Sequence, residues 1–289
     1  MRVCVYRDGA GTRLGVVDGD DVVDVTDLAP AFGAAGPLHA VLEHGIDLTR
    51  LRPNGRPRRS LSDVDLLAPL PCPGKIVAAP VNYRDHQAEM AAPLTVAELG
   101  VFLKAPSSVI GPGGTVKLPY TDLRTDQEAE LAVVIGRTAR DVPEADALSH
   151  VAGYTCLFDI TVRSTEDRST RKSFDTFTPI GPWLTTPDEV GDPGDLDLRC
   201  WVGGTPRQSA STADLIFGVP RLIAYASSVM TLWPGDVLAT GTPAGVGPIR
   251  HGDRVVMEIE RVGRLEVGVS GADARPYATR PGARAAVAS

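Results

Sequence analysis

The segment Glu128-Ala129-Glu130-Leu131-Ala132-Val133-Val134-Ile135 most narrows what this chain can fold into. The unbroken apolar run Leu131 to Ile135 is typical of a strand covered on both faces, and two acids lead directly into it. Side chains alternate along a strand, so Glu128 and Glu130 project the same way. Two carboxylates side by side at the mouth of a buried strand repel each other, and burial raises the cost of each charge. Either one is protonated or a cation lies between them.

A second Glu-x-Glu in the chain serves as a comparison. Glu258-Ile259-Glu260 alternates cleanly with apolar residues, which puts its acids on a solvent face, and Arg254, Arg261 and Arg264 are at hand to balance them. The Glu128 pair has no basic neighbour on its C-terminal side. A third acid, Asp159, lies within Tyr154-Thr155-Cys156-Leu157-Phe158-Asp159-Ile160-Thr161-Val162, an apolar context that should not hold an unpaired carboxylate. Three carboxylates without histidine suit a hard cation, Mg²⁺ first with Mn²⁺ or Ca²⁺ as substitutes, with open positions for water or substrate oxygens. A structural acid cluster accounts for the spacing equally well.

With 289 residues, 43% hydrophobic and 22% charged, the chain is neither disordered nor a small stapled scaffold. A net charge of −7 argues against nucleic acid or an anionic membrane surface as a partner. No apolar stretch reaches the length of a membrane span. The opening Met1-Arg2-Val3-Cys4-Val5-Tyr6 reads as a strand rather than a signal peptide. Cys4, Cys72, Cys156 and Cys200 have no metal-finger spacing, which fits reduced cysteines in a cytoplasmic protein.

Along the chain, Arg13–Val17 and Asp21–Val25 flank Asp18-Gly19-Asp20, a hairpin signature, and a short helix is expected around Leu38–Leu42. Residues 1–70 are read as a small N-terminal β-rich domain, ending after an Arg/Pro/Gly linker from Arg50 to Arg59 that contains Asn54. Residues 71–271 form the larger unit, with strands expected at Ile76–Ala79, Val101–Lys104, Glu130–Ile135, Tyr154–Val162, Leu196–Val202, Asp236–Thr240, Arg254–Glu260 and Arg264–Val269. Helices are expected at Tyr83–Met90, Glu144–His150 and Val219–Thr231. The class is α+β, mostly β, on a folded-over sheet or barrel. Residues 272–289, rich in Ala, Arg and Gly, are read as a flexible tail.

Three other stretches carry chemistry. In Asn82-Tyr83-Arg84-Asp85-His86-Gln87-Ala88-Glu89-Met90, a helix places His86 and Glu89 on one face. A carboxylate that orients an imidazole makes a general base; an ordinary surface charge pair is the other reading. Thr240-Gly241-Thr242-Pro243-Ala244-Gly245-Val246-Gly247-Pro248 follows a strand but lacks the lysine of a P-loop and the third glycine of a dinucleotide fingerprint. Its N–H groups and hydroxyls can hold a carboxylate or carbonyl oxygen, or it is simply a tight turn. Arg168-Ser169-Thr170-Arg171-Lys172-Ser173-Phe174-Asp175 is a cationic cluster in an acidic chain. It is either a solvated loop or, beside a metal, a set of positive groups for an anionic substrate.

In this order, from Ile76 to Val269, these stretches resemble the fumarylacetoacetate hydrolase family. The resemblance also takes in Phe102-Leu103-Lys104, Ile110-Gly111-Pro112-Gly113, Gly181-Pro182-Trp183 and Pro234-Gly235-Asp236. It implies a homodimer with a mixed β-roll core and a small N-terminal β domain. It implies Mg²⁺ or Mn²⁺ on Glu128, Glu130 and Asp159, and a water-activating dyad of His86 and Glu89 on a helical lid that orders with substrate. Lys172 is expected to face a developing oxyanion. Arg84, Arg163, Glu166, Gly241 and Thr242 are expected to contact substrate. Two positions depart from the family pattern: Ser164 replaces an acid, and Glu166 replaces a substrate-facing glutamine. Arg168 and Arg171 either offset Glu166 or read a second anionic group.

The activity implied is hydrolysis of a carbon–carbon bond in a small anionic 2,4-dioxo acid, of acylpyruvate or fumarylacetoacetate type. Decarboxylation, hydration or isomerisation of a 2-oxo acid would use the same site. An oxo-acid-binding protein without catalysis is the reading from another class.

Overall fold

The computed structural model describes every residue except 10, 54, 90–93 and 284–289. Asn54 of the expected linker, Met90 at the end of the expected lid helix and residues 284–289 of the expected tail lie outside the described residues.

A large mixed sheet organises the molecule. Ten of its strands are β1 (Arg2–Asp8), β2 (Gly11–Asp18), β3 (Asp21–Asp24), β4 (Arg58–Ser60), β5 (Ile76–Ala78), β6 (Phe102–Lys104), β7 (Ala129–Ile135), β8 (Val151–Phe158), β9 (Thr178–Thr185) and β10 (Val237–Ala239). They lie in the order β4-β3-β2-β1-β9-β8-β7-β10-β5-β6, and Asp65–Leu67 and Val109–Ile110 join β1 and β9. Along this order all neighbours run antiparallel except β10 and β5. A five-stranded sheet packs nearby, in the order Thr205–Ser211, Asp197–Val202, Arg254–Ile259, Gly263–Ser270 and Thr115–Lys117. The α+β, mostly-strand class is as expected, and the sheets stay open rather than closing into a barrel.

The apolar run of β7 does what its composition demands: all seven of its residues are buried. Ala129, Leu131, Val133 and Ile135 enter a core shared with the five-stranded sheet and helix α4 (Val219–Val229). Ala132 and Val134 enter a second core shared with β1, β2 and helix α1 (Pro37–Glu43). Each fully buried Leu or Val contributes roughly 1.5–3 kcal/mol. Helix α4 buries Val219, Leu222, Ile223 and Ala226, one stripe at helical spacing.

The β2–β3 hairpin turns through Gly19 at φ +65°, a conformation that glycine adopts without strain. Strand β1 bonds to β9 with Arg2 opposite Thr185, so strands from either side of residue 70 share one sheet. Residues 144–150 form a 3-10 helix rather than an α-helix. The expected strand Tyr154–Val162 is broken at Asp159 and Ile160, and Thr161–Val162 pairs in a separate small sheet with Thr125–Gln127. Beyond residue 272, where fraying was expected, Arg275 N–H bonds to Pro119 and Tyr277 packs edge-on against Tyr120 at 5.1 Å. Among the described residues no helix is long and apolar enough to cross a membrane.

Candidate active site

Strand register assembles the three acids. Strands β7 and β8 run antiparallel with Glu130 opposite Leu157, and the Asp159 N–H donates to the Glu128 carbonyl at 2.8 Å. Directly opposed residues share a face of a sheet, so Glu128, Glu130 and Asp159 converge. Their carboxylate oxygens lie within 4.8 Å of one another, and all three residues are buried.

Two buried lysines face them. Lys104 Nζ donates to Asp159 Oδ1 at 2.5 Å and to the Phe177 carbonyl at 3.1 Å. Lys172 Nζ bridges Glu128 Oε2 at 2.6 Å and Asp159 Oδ2 at 2.5 Å. Arg163 donates to Glu128 Oε1 at 2.9 Å and to Asp126 at 2.6 Å. Burial alone would raise the Glu128 carboxyl, but Lys172 and Arg163 outweigh it and hold it down at about 2. Glu130 makes no ion pair among the described residues. Burial, with Asp159 and Glu128 beside it, pushes its carboxyl well above the usual range against Lys172 and the Gly241 N–H. Burial also pulls the Lys104 ammonium down, while Asp159, Glu128 and Glu130 together overcome burial at Lys172 and push it up. A buried Glu130 without an ion pair among the described residues, in a cluster that offers oxygen donors alone, fits a hard divalent cation.

The Glu258-Ile259-Glu260 comparison holds. Both glutamates are exposed, Arg261 pairs with Glu260 at 3.8 Å, and Arg254 and Arg264 turn to Glu266.

Helix α2 (Arg84–Glu89) brings His86 to the same cleft. His86 is 6% exposed and its Nδ1 meets Glu89 Oε2 at 3.0 Å. The Gly-rich loop holds the other side of Glu89: Gly245 N–H donates to Oε1 at 3.1 Å. Only glycine fits there, because φ is +94° and an added Cβ would fall 1.9 Å from the Arg207 carbonyl. Gly241 N–H donates to Glu130 at 2.7 Å, so it positions a carboxylate. Thr242 lines the cleft, its hydroxyl donating to the Ala129 carbonyl and accepting from Gln208 Nε2.

Helix α3 (Arg168–Arg171) is one turn long, started by the Asp167 carboxylate that accepts from Ser169 N–H. Arg168, Arg171 and the following Lys172 all line the cleft with His86, Glu128, Glu130 and Arg163. Glu166 does not; its carboxylate is bonded to Arg280 at 2.5 Å. Arg84 is exposed and does not line the cleft.

Three residues of this network escaped the sequence reading as site groups: Lys104, Asp126 and Gln208. Lys104 shares a face with Phe102 in a strand whose alternate residues are buried, and a lysine on a buried face signals an acid partner. Pro234-Gly235-Asp236 works elsewhere, with Asp236 accepting from the Lys75 and Trp233 N–H groups to fix the turn into β10.

A family model for the fumarylacetoacetate (FAA) hydrolase C-terminal region matches residues 75–270. The chain belongs to the fumarylacetoacetate hydrolase family. It is similar to the maleylpyruvate hydrolase of Aquipseudomonas alcaligenes, 45% identical over 287 residues, covering 93% of this chain and 99% of the relative. It is also similar to the crystal structure of maleylpyruvate hydrolase from Sphingobium sp. SYK-6 in complex with manganese(II) and pyruvate. That match has a TM-score of 0.81 at 41% identity and covers 96% of this chain and all of the other. A 4-hydroxyphenylacetate degradation bifunctional isomerase/decarboxylase of Salmonella dublin is 46% identical over 202 residues, covering 68% of this chain and 47% of that protein.

Proposed function

We propose that this protein is a divalent-metal-dependent hydrolase, Mg²⁺ being the metal in the cell, that cleaves the carbon–carbon bond of a 2,4-dioxo acid of acylpyruvate type. The observation that carries the reading is that Glu128 and Glu130, two members of the buried three-acid cluster, line one cleft with His86, whose Nδ1 is held by Glu89. The two maleylpyruvate hydrolases support the substrate class, and the manganese–pyruvate complex supports both a metal and a 2-oxo acid at this site. The protein is read as a cytoplasmic homodimer.

A cation held by the three carboxylates would supply Lewis-acid polarisation of the substrate's 1-carboxylate and 2-oxo oxygens. With Nδ1 engaged by Glu89, His86 Nε2 is the ring nitrogen left to take a proton from water as the water oxygen bonds to C4. The Lys172 ammonium lies in the same cleft to receive the charge on the C4 oxygen. The C3–C4 bond then breaks: C4 leaves as a carboxylic acid, and its electron pair passes to C3. C3 takes the proton back from His86, giving pyruvate. Arg163, tied to Asp126 and Glu128, keeps the acid cluster in place.

A panel of acylpyruvates assayed with Mg²⁺ or Mn²⁺ tests this. Pyruvate release that Glu128→Ala abolishes is expected; no Glu128-dependent release from any member refutes the reading. The isomerase/decarboxylase relative motivates a second reading, in which a 2-oxo acid loses CO₂ at the same site without attack by water. His86→Ala separates the two, since only the hydrolase needs a base to activate water.

A further inference from the structure

We infer that Arg168 and Arg171 form a subsite for a second anionic group, a carboxylate at the far end of the substrate's acyl arm. The inference rests on the oxo-acid reading of this cleft and adds a specificity determinant to it.

The argument is one of uncommitted charge. The other two cations that line the cleft already have carboxylates, Lys172 on Glu128 and Asp159 and Arg163 on Asp126 and Glu128; so do Lys104 on Asp159, Arg124 on Asp126 and Arg280 on Glu166. Arg168 and Arg171 line the same cleft and, among the described residues, neither has a carboxylate partner. Of the two acids just before them in sequence, Asp167 caps the helix by accepting from Ser169 N–H, and Glu166 is held by Arg280, whose guanidinium also stacks over Phe174 at 5.5 Å.

Local structure aims the pair. Positions three and four apart share a helix face, so α3 presents Arg168, Arg171 and Lys172 together. Both arginines are half-buried. Burial lowers the Arg171 guanidinium, and Arg163 and Arg168 add to that against Glu128. A half-buried guanidinium crowded by like charges gains from an anion, and its planar fork matches a carboxylate in bidentate fashion. The pyruvoyl end of a 2,4-dioxo acid is already provided for by the acid cluster. The group left to meet the arginines is therefore on the acyl arm, and a dicarboxylic substrate supplies it.

Calorimetry on the Mn²⁺-loaded, full-length protein tests this with two non-cleavable ligands of equal length, 2-oxoheptanedioate and 2-oxoheptanoate, which differ only in the distal carboxylate. The wild type is expected to favour the diacid by about tenfold or more, the size of one good charge-assisted contact. Arg168→Gln and Arg171→Gln each reduce that ratio, and the double variant brings it near one. Arg171→Lys, which keeps the charge but loses the fork, retains part of the preference and guards against a merely structural loss. Equal affinity of the wild type for both ligands, failure to bind the diacid, or an unchanged ratio in the double variant overturns the inference. If the ratio behaves as expected while no 2,4-dioxo acid is cleaved, the hydrolase reading falls and the anion subsite stands.

Discussion

Glu130 is 1% exposed, beside two other acids, with one backbone N–H, that of Gly241, as its hydrogen-bond donor among the described residues. Its folded carboxyl titrates above its unfolded value because of burial first and Asp159 second. A group raised in this way favours the fold while protonated. Its contribution is complete below the unfolded value near 4.5 and is lost as pH rises toward the folded value. In chelator, the parent protein is therefore expected to lose stability from mild acid to alkaline pH more steeply than Glu130→Gln, and to melt below it at neutral pH. Mg²⁺ or Mn²⁺ should reverse that order. Identical melting curves for the two proteins in chelator across the pH range would contradict this account. At His86, substitution by alanine is expected to lower kcat by about 10²–10⁴-fold, the range of general-base contributions, while Glu89→Gln, which leaves the imidazole in place, costs less. Equal losses for the two variants would show that Glu89 does more than orient the ring. At this scale the acids were legible because strand parity is written in the sequence. Lys104 and Asp126 were not, because their partners lie 55 and 37 residues away and only strand register reveals them.

The Gly-rich loop and helix α2 act as one element. The loop's backbone reaches Glu130 through Gly241 and Glu89 through Gly245, so it fixes both the acid cluster and the dyad. Gly245→Ala puts a methyl group into the Arg207 carbonyl at φ +94°. The expected cost is roughly 1–3 kcal/mol of stability, as for other residues held in sparsely populated backbone regions. A fall of about tenfold in kcat should accompany it, because Glu89 loses a charge-assisted donor. Thermal melts and steady-state kinetics check both, and an unchanged kcat would separate the loop from the dyad. The sequence offered this loop only as a turn or an oxygen-binding site. Its real contacts depend on β7, helix α2 and Thr205–Ser211 arriving from distant parts of the chain. Element types were easier to read than their edges: the strand through Asp159 was expected to run on, yet a change of sheet interrupts it. The 3-10 geometry at 144–150 was equally invisible, since periodicity over so short a stretch does not separate the two helix types.

At the scale of the molecule, the strands before residue 70 and those after it share a sheet and a core. Leu184 on β9 is 0% exposed and packs in the cluster that includes Val3, Val5, Ala132 and Val134. Leu184→Ala is expected to cost about 2–5 kcal/mol, and both regions should melt in one transition before and after the change. Two resolved calorimetric peaks in the parent protein would show instead that the regions fold separately. The mostly-β class followed from short apolar runs between Gly and Pro turns. The spatial order of strands did not, because a sheet that places β1 beside β9 and β5 beside β10 is built from long-range pairings that leave no local trace.

Helix α3 is a four-residue helix on the route from β8 to β9, outside both buried cores, whereas the acids are rooted in β7 and the end of β8. Mutations in the first place leave the sheet's packing untouched; mutations in the second disturb it. Descendants of such a chain can therefore change diet without rebuilding the furnace. A library confined to the residues around α3 is the economical place to breed enzymes for new oxo acids.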